Sequence, residues 1–215
     1  MDVVDEAGWS LVVPVKTLVA AKTRLAEAAG PYRAALAVAI ARDTVRAALA
    51  CPPVRRVVVV TGDPVPAAEL AALGAHVVDD PQRGLNAALR FGAAEAVRLA
   101  PGDHVAALQA DLPALRPAEL ARVLAAAARF ERSFVPDAVE VGTTCYAVRR
   151  GEPFRPAFGG ESRLRHLAGG AKELQLDGIA SVRRDVDTIE DLRDALALGV
   201  GPHTAVVAAE MGVTA

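Results

Sequence analysis

Three aspartates stand where they can bind a divalent cation. Asp111 follows the apolar run Val105–Leu108, and Asp185 and Asp187 follow Ser181–Arg184, so each group comes after a predicted strand. In open α/β sheets, ligands bind beyond the carboxyl ends of the strands. Mg²⁺ takes one or two carboxylates and leaves its other positions to phosphate oxygens and water. The pattern therefore indicates a magnesium site that meets a phosphorylated substrate.

Each of these aspartates also has a purely structural interpretation. Asp111 can cap the turn at Pro113, and Asp187 with Thr188 can cap the helix that follows. Period-two alternation places Asp185 and Asp187 on one side if the strand continues through them. We predict Asp111 and Asp185 as the metal ligands and Asp187 as partly structural.

A basic segment follows the first predicted strand. Lys16, Lys22 and Arg24 fall within nine residues that contain no acid. Such a segment can hold a triphosphate through charge-assisted hydrogen bonds, or it can be an ordinary exposed loop. The chain has no G-x-x-x-x-G-K-[ST] and no G-x-G-x-x-G after this strand, which disfavours P-loop and dinucleotide-binding proteins.

A glycine and an asparagine follow the third predicted strand. Gly84 permits close approach of the backbone, and Asn86 offers a donor and an acceptor near a helix start. This pair suits recognition of a ribose or a base. Asn86 is equally consistent with an ordinary position in the first turn of a helix.

Two small, hydroxyl-bearing segments lie in the second half of the chain. One contains Thr143 and Thr144, and the other contains Gly159 and Ser162. Backbone N–H groups and hydroxyls bind a carboxylate or phosphate without adding net charge, although glycine loops are often only turns. His166, four residues after Ser162, can join these groups or simply pack.

The elements that must position these residues alternate between strands and helices. Predicted strands are Leu11–Val13, Val57–Val60, His76–Val78, Val105–Leu108, Ser133–Val135, Thr144–Val148 and Ser181–Arg184. Predicted helices are Arg33–Leu49, Ala67–Leu73, Leu85–Leu99, one that begins at Pro117, and Ile189–Leu198, with loops over 151–170. This alternation with apolar strands predicts an α/β fold, one domain over 1–215, whose mostly parallel sheet is sandwiched by helices.

Composition narrows the class of protein. The 215 residues are 53% hydrophobic, only 4% aromatic, and carry a net charge of −2. This balance disfavours binding to nucleic acids and to anionic membranes. No segment is apolar and long enough to span a bilayer. Two distant cysteines, Cys51 and Cys145, match no metal-ligand spacing and favour a reduced, cytoplasmic protein.

Together, these segments resemble the guanylyltransferases of coenzyme F420 biosynthesis, the phosphoenolpyruvate or 2-phospho-L-lactate guanylyltransferase family. Six stretches match in family order between about Val13 and Gly199. They are Val13–Lys16 with Ala21–Leu25, Gly84–Asn86, Ala110–Pro113, Gly142–Thr144, Phe158–Ser162 and Asp185–Thr188. The alanine- and arginine-rich composition resembles the actinobacterial branch, which favours phosphoenolpyruvate.

The resemblance implies a MobA-like nucleotidyltransferase fold of the glycosyltransferase-A type, with GTP as the donor, Mg²⁺ (two ions) as the cofactor, and pyrophosphate as a product. Asp111, Lys22 and Arg24 are then the expected catalytic residues, and Asp111 and Asp185 the metal ligands. Thr143 or Thr144, with Gly159 and Ser162, contacts the small phosphorylated carboxylate. The product is expected to pass to a downstream transferase, and no sequence feature specifies an oligomeric state.

Two other functions use the same features. A relative can transfer a nucleotide to a sugar phosphate or a molybdopterin, but such proteins usually begin with a G-x-G-x-R loop, which Ala21–Arg24 replaces here. A non-catalytic nucleotide-binding module would bind GTP without magnesium-dependent release of pyrophosphate.

Overall fold

The β-branched runs pair into one sheet in the computed structural model, which describes residues 7–16 and 29–215. The strands of these residues are β1 Trp9–Pro14, β2 Val54–Val60, β3 His76–Val78, β4 His104–Leu108, β5 Arg132–Pro136, β6 Thr143–Val148 and β7 Lys172–Glu173. Their order across the sheet is β3-β2-β1-β4-β6-β5-β7. Of these seven strands, β6 alone runs against the others, because it pairs antiparallel with both β4 and β5 while the remaining pairs are parallel.

Helices cover both faces of this sheet. Within the described ranges they are α1 Arg33–Leu49, α2 Pro64–Ala72, α3 Leu85–Leu99, α4 Pro117–Ala127, α5 Ser162–Ala168, α6 Ala180–Arg183, α7 Ile189–Leu198 and α8 Pro202–Glu210, with a 3₁₀ turn at Gly30–Tyr32 before α1. The predicted bounds of α1, α3 and α7 are confirmed. The cap predicted at Thr188 is also confirmed, as a capping box in which Thr188 and Asp191 bond each other's backbone N–H.

Alternation along the central strands divides the core between the two faces. In β1, Leu11 and Val13 pack into one apolar cluster with α1 and α4, whereas Val12 packs into another with α3. Both clusters are buried, so the strands read as continuous apolar runs, as expected for a sheet covered on both faces. The predicted single α/β domain with a sandwiched, mostly parallel sheet is confirmed.

The predicted strand at Ser181–Arg184 is wrong, because these residues contribute to the short helix α6. Glu119 on α4 accepts hydrogen bonds from both the N–H and the hydroxyl of Ser181, at 2.9 and 2.8 Å. A carboxylate at this position caps the first turn of a helix. Val182 is buried beneath that turn. Hydrogen bonds from Glu119, 62 residues away in the sequence, therefore override the local preference of this segment for a strand.

Three further elements were not predicted. Helix α5 lies inside the stretch assigned to loops over 151–170, and β7 and α8 follow later in the chain. Pro202 at the first position of α8 is a recognised start signal. Asp43 on α1 accepts hydrogen bonds from the N–H groups of His203 and Thr204, at 3.3 and 2.7 Å, and so fastens α8 to α1.

None of the helices in the part of the chain that the structure describes has the length and apolar character needed for a membrane span.

Candidate functional site

A cavity opens at the carboxyl ends of β1 and β4, at the edge where open α/β sheets bind ligands. Its polar wall carries Lys16, Gln109, Asp111, Asp185 and Asp187, and its other lining residues are Pro14, Val15, Ala37, Val38, Ile40, Ala41, Pro66, Leu85, Ala110 and Gly159. The lining of the cavity therefore combines three carboxylates, the cationic side chain of Lys16 and an apolar wall.

The backbone around Asp111 is held from two directions. Its carbonyl accepts the N–H of Val186 at 3.0 Å, which ties the end of β4 to the segment that carries Asp185. The next N–H, of Leu112, donates to the hydroxyl of Thr44 on α1 at 3.1 Å. These two bonds bring the predicted pair, Asp111 and Asp185, to one side of the cavity.

Like charges converge on Asp185. Burial raises the pKa of this carboxyl to about 7, and the charges of Asp111, Asp187 and Asp137 add to the rise. Carboxylates that repel one another in this way are stabilised when a cation lies between them. A bound cation would favour the charged form of Asp185.

These carboxylates suit a metal ion that the substrate helps to bind. In residues 7–16 and 29–215, no group of three or more His, Cys, Asp or Glu side chains is arranged as a metal site. Mg²⁺ is usually bound through one or two carboxylates plus substrate phosphates. Asp111 and Asp185 can supply that share of the ligands.

Of the three cationic side chains predicted to bind phosphate, Lys16 lies within the described residues. Lys16 follows β1, is exposed, and lines the same cavity as the carboxylates. Lys22 and Arg24 lie outside the described residues, so their predicted contacts to a triphosphate stay predictions.

Gly84 and Asn86 begin α3 beside the cavity. Gly84 has a φ of 86°, a left-handed conformation that favours glycine, and Leu85 lines the cavity wall. The side-chain amide of Asn86 bonds the backbone of Phe158, whose N–H donates to Oδ1 at 2.9 Å and whose carbonyl accepts from Nδ2 at 3.0 Å. The predicted ribose or base contact of Asn86 is not tested by these bonds.

Thr143, Ser162 and His166 form one buried network. The Ser162 hydroxyl donates to Oγ1 of Thr143 at 3.1 Å, and Nδ1 of His166 lies 2.9 Å from the same oxygen. Since Ala157 N–H donates to Nε2 at 3.0 Å, Nδ1 carries the ring proton and donates it to Thr143. Burial lowers the pKa of His166 to about 4, so the ring is neutral at pH 7. Thr143 and Ser162 do not line the cavity, and their predicted contacts to the acceptor stay predictions.

Thr144 differs from its neighbour. Its Oγ1 is buried and makes no hydrogen bond with any described residue, and its carbonyl accepts the N–H of Gln109 at 2.9 Å. The β5–β6 pairing skips Thr144, because Val135 pairs with Cys145 and Pro136 with Thr143. Such an irregularity re-aims side chains at sheet ends near active sites.

The sequence did not indicate the apolar wall of the cavity. Ala37, Val38, Ile40 and Ala41 belong to α1, whose alanine-rich sequence gives no sign of a binding face. Asp43 and Thr44, adjacent buried polar residues of this helix, are the signals that α1 bonds groups outside itself.

Comparison with known proteins places this chain in a family. The family model described as "Guanylyl transferase CofC like" matches residues 9–214. The phosphoenolpyruvate guanylyltransferase of Streptosporangium roseum is 74% identical over 93% of this chain and 90% of its own length.

Two solved structures share the fold. A putative nucleotide-diphospho-sugar transferase from Desulfovibrio desulfuricans G20 covers 96% of both chains with a TM-score of 0.70 and 15% identity. The CMP:2-keto-3-deoxy-manno-octonic acid synthetase complexed with CTP covers 95% of this chain and all of its own, with a TM-score of 0.58 and 16% identity. At these identities the likeness establishes the fold alone.

Proposed function

Because this chain belongs to the guanylyl transferase CofC-like family, we propose that it transfers GMP from GTP to the phosphate of phosphoenolpyruvate and releases pyrophosphate. The observation that carries the proposal is the convergence of Asp111, Asp185 and Lys16 on one cavity at the carboxyl edge of the sheet. The name of the Streptosporangium relative supports phosphoenolpyruvate as the acceptor. 2-Phospho-L-lactate, the acceptor of other family members, is the alternative.

Asp111 and Asp185 are the proposed Mg²⁺ ligands. The fit rests on the burial and the neighbouring carboxylates that raise the pKa of Asp185, and on the placement of both residues beside the same cavity. When bound, Mg²⁺ (two ions in this proposal) neutralises phosphate charge around the reacting phosphorus. Asp187 stays partly structural, because its N–H bonds Asp191 in the first turn of α7 at 3.2 Å.

The reaction needs no general base from the protein. A phosphate oxygen of the acceptor, already an anion at neutral pH, forms a bond to the α-phosphorus of GTP while the bond to the bridging oxygen of pyrophosphate breaks. His166 takes no part in proton transfer, since both ring nitrogens are bonded and burial keeps the ring neutral. The protein accelerates this step by positioning the reactants and neutralising charge. Lys16, with Lys22 and Arg24, is proposed to hold the triphosphate and the departing pyrophosphate.

The acceptor lies beside Thr144 and Gly159 in this proposal. Gly159 lines the cavity, whereas Thr144 is buried outside the lining and has a hydroxyl with no hydrogen-bond partner among the described residues. Thr143 and Ser162 are bonded to each other and to His166, so they act by holding the loop. The product, a guanylylated enolpyruvyl phosphate with a new diphosphate bond, is proposed to serve a transferase of coenzyme F420 biosynthesis.

The decisive assay measures pyrophosphate release from GTP and Mg²⁺, with phosphoenolpyruvate and 2-phospho-L-lactate offered separately. We expect release that requires both magnesium and an acceptor, and that is faster with phosphoenolpyruvate. Asp111→Asn should lower kcat at least about a hundredfold, as loss of a preorganised charge does in other enzymes, while the protein stays folded.

Asp177→Asn is the matched control, because Asp177 is exposed and does not line the cavity. This variant should turn over like the wild type. Near-normal turnover in Asp111→Asn would refute the metal assignment, and no release with either acceptor would refute the proposed function.

A further inference from the structure

The segment that leads into Gly159 is shaped by side chains. Ala157 and Phe158 belong to no helix or strand, yet three of their backbone groups are bonded. Ala157 N–H donates to Nε2 of His166 at 3.0 Å, and Phe158 N–H and carbonyl bond the amide of Asn86 at 2.9 and 3.0 Å. The side chains of Asn86 on α3 and His166 on α5 therefore bond the backbone groups that a neighbouring strand would otherwise bond.

The bonds made by Asn86 fix an orientation as well as a position. Its amide pairs with the donor and the acceptor of one residue, which lies 72 residues away in the sequence. Phe158 is 4% exposed, and its ring packs edge-on against His166 with centroids 5.2 Å apart. Backbone and side chain of Phe158 are thus both anchored, which leaves the segment little freedom to shift.

The next residue enters the cavity. Gly159 lines the site at a φ of 97°, followed by Gly160 at 48°, so the chain turns sharply straight after the anchored residue. Only a residue without a Cβ adopts these conformations readily. Where Gly159 lies is therefore set by where Asn86 holds Phe158.

We propose that Asn86 is a positioning residue for the acceptor, which acts by clamping Phe158 and so setting the backbone of Gly159. This role rests on the proposed function and replaces the ribose or base contact expected from the sequence. Because Asn86 lies on the turn of α3 that also carries Leu85 of the cavity wall, the clamp joins the helix beside the nucleotide to the loop beside the acceptor.

The test separates the two substrates. Asn86→Asp keeps the side-chain volume and the acceptor for Phe158 N–H, but sets a carboxylate oxygen against the Phe158 carbonyl. We expect the KM for phosphoenolpyruvate to rise about tenfold or more, as loss of a buried hydrogen bond implies. The KM for GTP should change by no more than about twofold, because the altered bond holds the acceptor loop alone.

A second measurement needs no substrate. In Asn86→Ala, amide hydrogen exchange over 157–160 of the substrate-free protein should be about tenfold faster or more, since both bonds of the clamp are lost. Arg90→Gln is the matched control on α3, because Arg90 is exposed one turn further along. It should change neither KM nor exchange.

The outcomes have distinct meanings. A rise in the KM for GTP with an unchanged KM for phosphoenolpyruvate would show that Asn86 contacts the nucleotide and would overturn the clamp. Faster exchange with both KM values unchanged would also overturn it, since the bonds would then be structural only. If the wild type turned over neither acceptor, the proposed function itself would fail, whichever way exchange responds.

Discussion

At the scale of single residues, two adjacent threonines have opposite surroundings. The hydroxyl of Thr143 accepts from Ser162 and His166, whereas that of Thr144 has no partner among the described residues. The pairing that skips Thr144 is the cause, because it breaks the alternation that would otherwise decide which threonine faces the core. The Thr143 hydroxyl is already bonded twice, and the buried Thr144 hydroxyl has spare bonding capacity for a ligand that reaches the end of β6.

Replacement by valine should therefore affect different properties at the two positions, the KM at Thr144 and the stability at Thr143. Thr144→Val is expected to raise the KM for phosphoenolpyruvate about tenfold with stability within about 0.5 kcal/mol of the wild type. Thr143→Val leaves two buried donors unsatisfied and should lower the free energy of unfolding by about 1–3 kcal/mol. Steady-state kinetics and urea denaturation of both variants provide the measurement, and equal effects in the two would contradict this division of roles.

At the scale of elements, α1 both walls the cavity and holds the end of β4. Thr44 donates to the carbonyl of Ile40 at 2.9 Å and accepts the N–H of Leu112 at 3.1 Å. Its hydroxyl thus satisfies a buried donor directly after Asp111. The position of the carboxylate then depends on a helix that shares no sequence motif with it.

Thr44→Val preserves the shape of the side chain but removes the hydroxyl that accepts the N–H of Leu112. It should therefore displace the segment after β4 that carries Asp111. The orphaned Leu112 N–H is expected to lower the free energy of unfolding by about 1–3 kcal/mol. A shift of Asp111 should reduce kcat by about tenfold or more. Thr44→Ser keeps the hydroxyl and serves as the control, with kcat within about threefold of the wild type. Destabilisation in Thr44→Val without loss of kcat would show that the bond is structural only.

At the scale of the whole molecule, two buried groups give stability opposing dependences on pH. Burial lowers the pKa of His166 from 6.5 to about 4, so between these values the unfolded chain binds the extra proton and the free energy of unfolding rises with pH. Burial, with the charge of Asp111 next, raises the pKa of Asp185 from 3.8 to about 7. Here the folded protein binds the extra proton, so the free energy of unfolding falls as pH rises from about 4 to about 7.

These two slopes offset each other in metal-free wild-type protein. In Asp185→Asn only the His166 contribution remains, so the free energy of unfolding should rise from pH 4.5 to 6.5 more steeply than in the wild type, by at most about 1.4 kcal/mol per pH unit. Urea denaturation at several pH values in the presence of a chelator measures the difference. Asp177→Asn should follow the wild-type profile, and a parallel profile for Asp185→Asn would contradict the assignment.

Much of the architecture was predictable because it depends on local pattern. Apolar β-branched runs and alanine-rich helices predicted the sandwiched, mostly parallel sheet. The bounds of α1 and α3 followed from alanine-rich stretches of helical length, and those of α7 also from its cap. Placement of Asp111 at a strand end needed only the rule that parallel strands share a carboxyl edge. The segment before Asp185 was assigned the wrong structure, since the bonds from Glu119 that make it helical come from another element.

By itself, then, the sequence determined the fold class, the family and the aspartates that gather at one edge of the sheet. Each of these depends on short motifs whose residues are close together along the chain. Only the tertiary structure decided the surroundings of Asn86, Thr44, Thr143 and Thr144. The distant hydrogen-bond partners of Asn86, Thr44 and Thr143 lie between 19 and 72 residues away, and the surroundings of Thr144 depend on a strand pairing that skips one position. Hydrogen bonds act over about 3 Å in space and have no fixed spacing in sequence, so no local pattern records them.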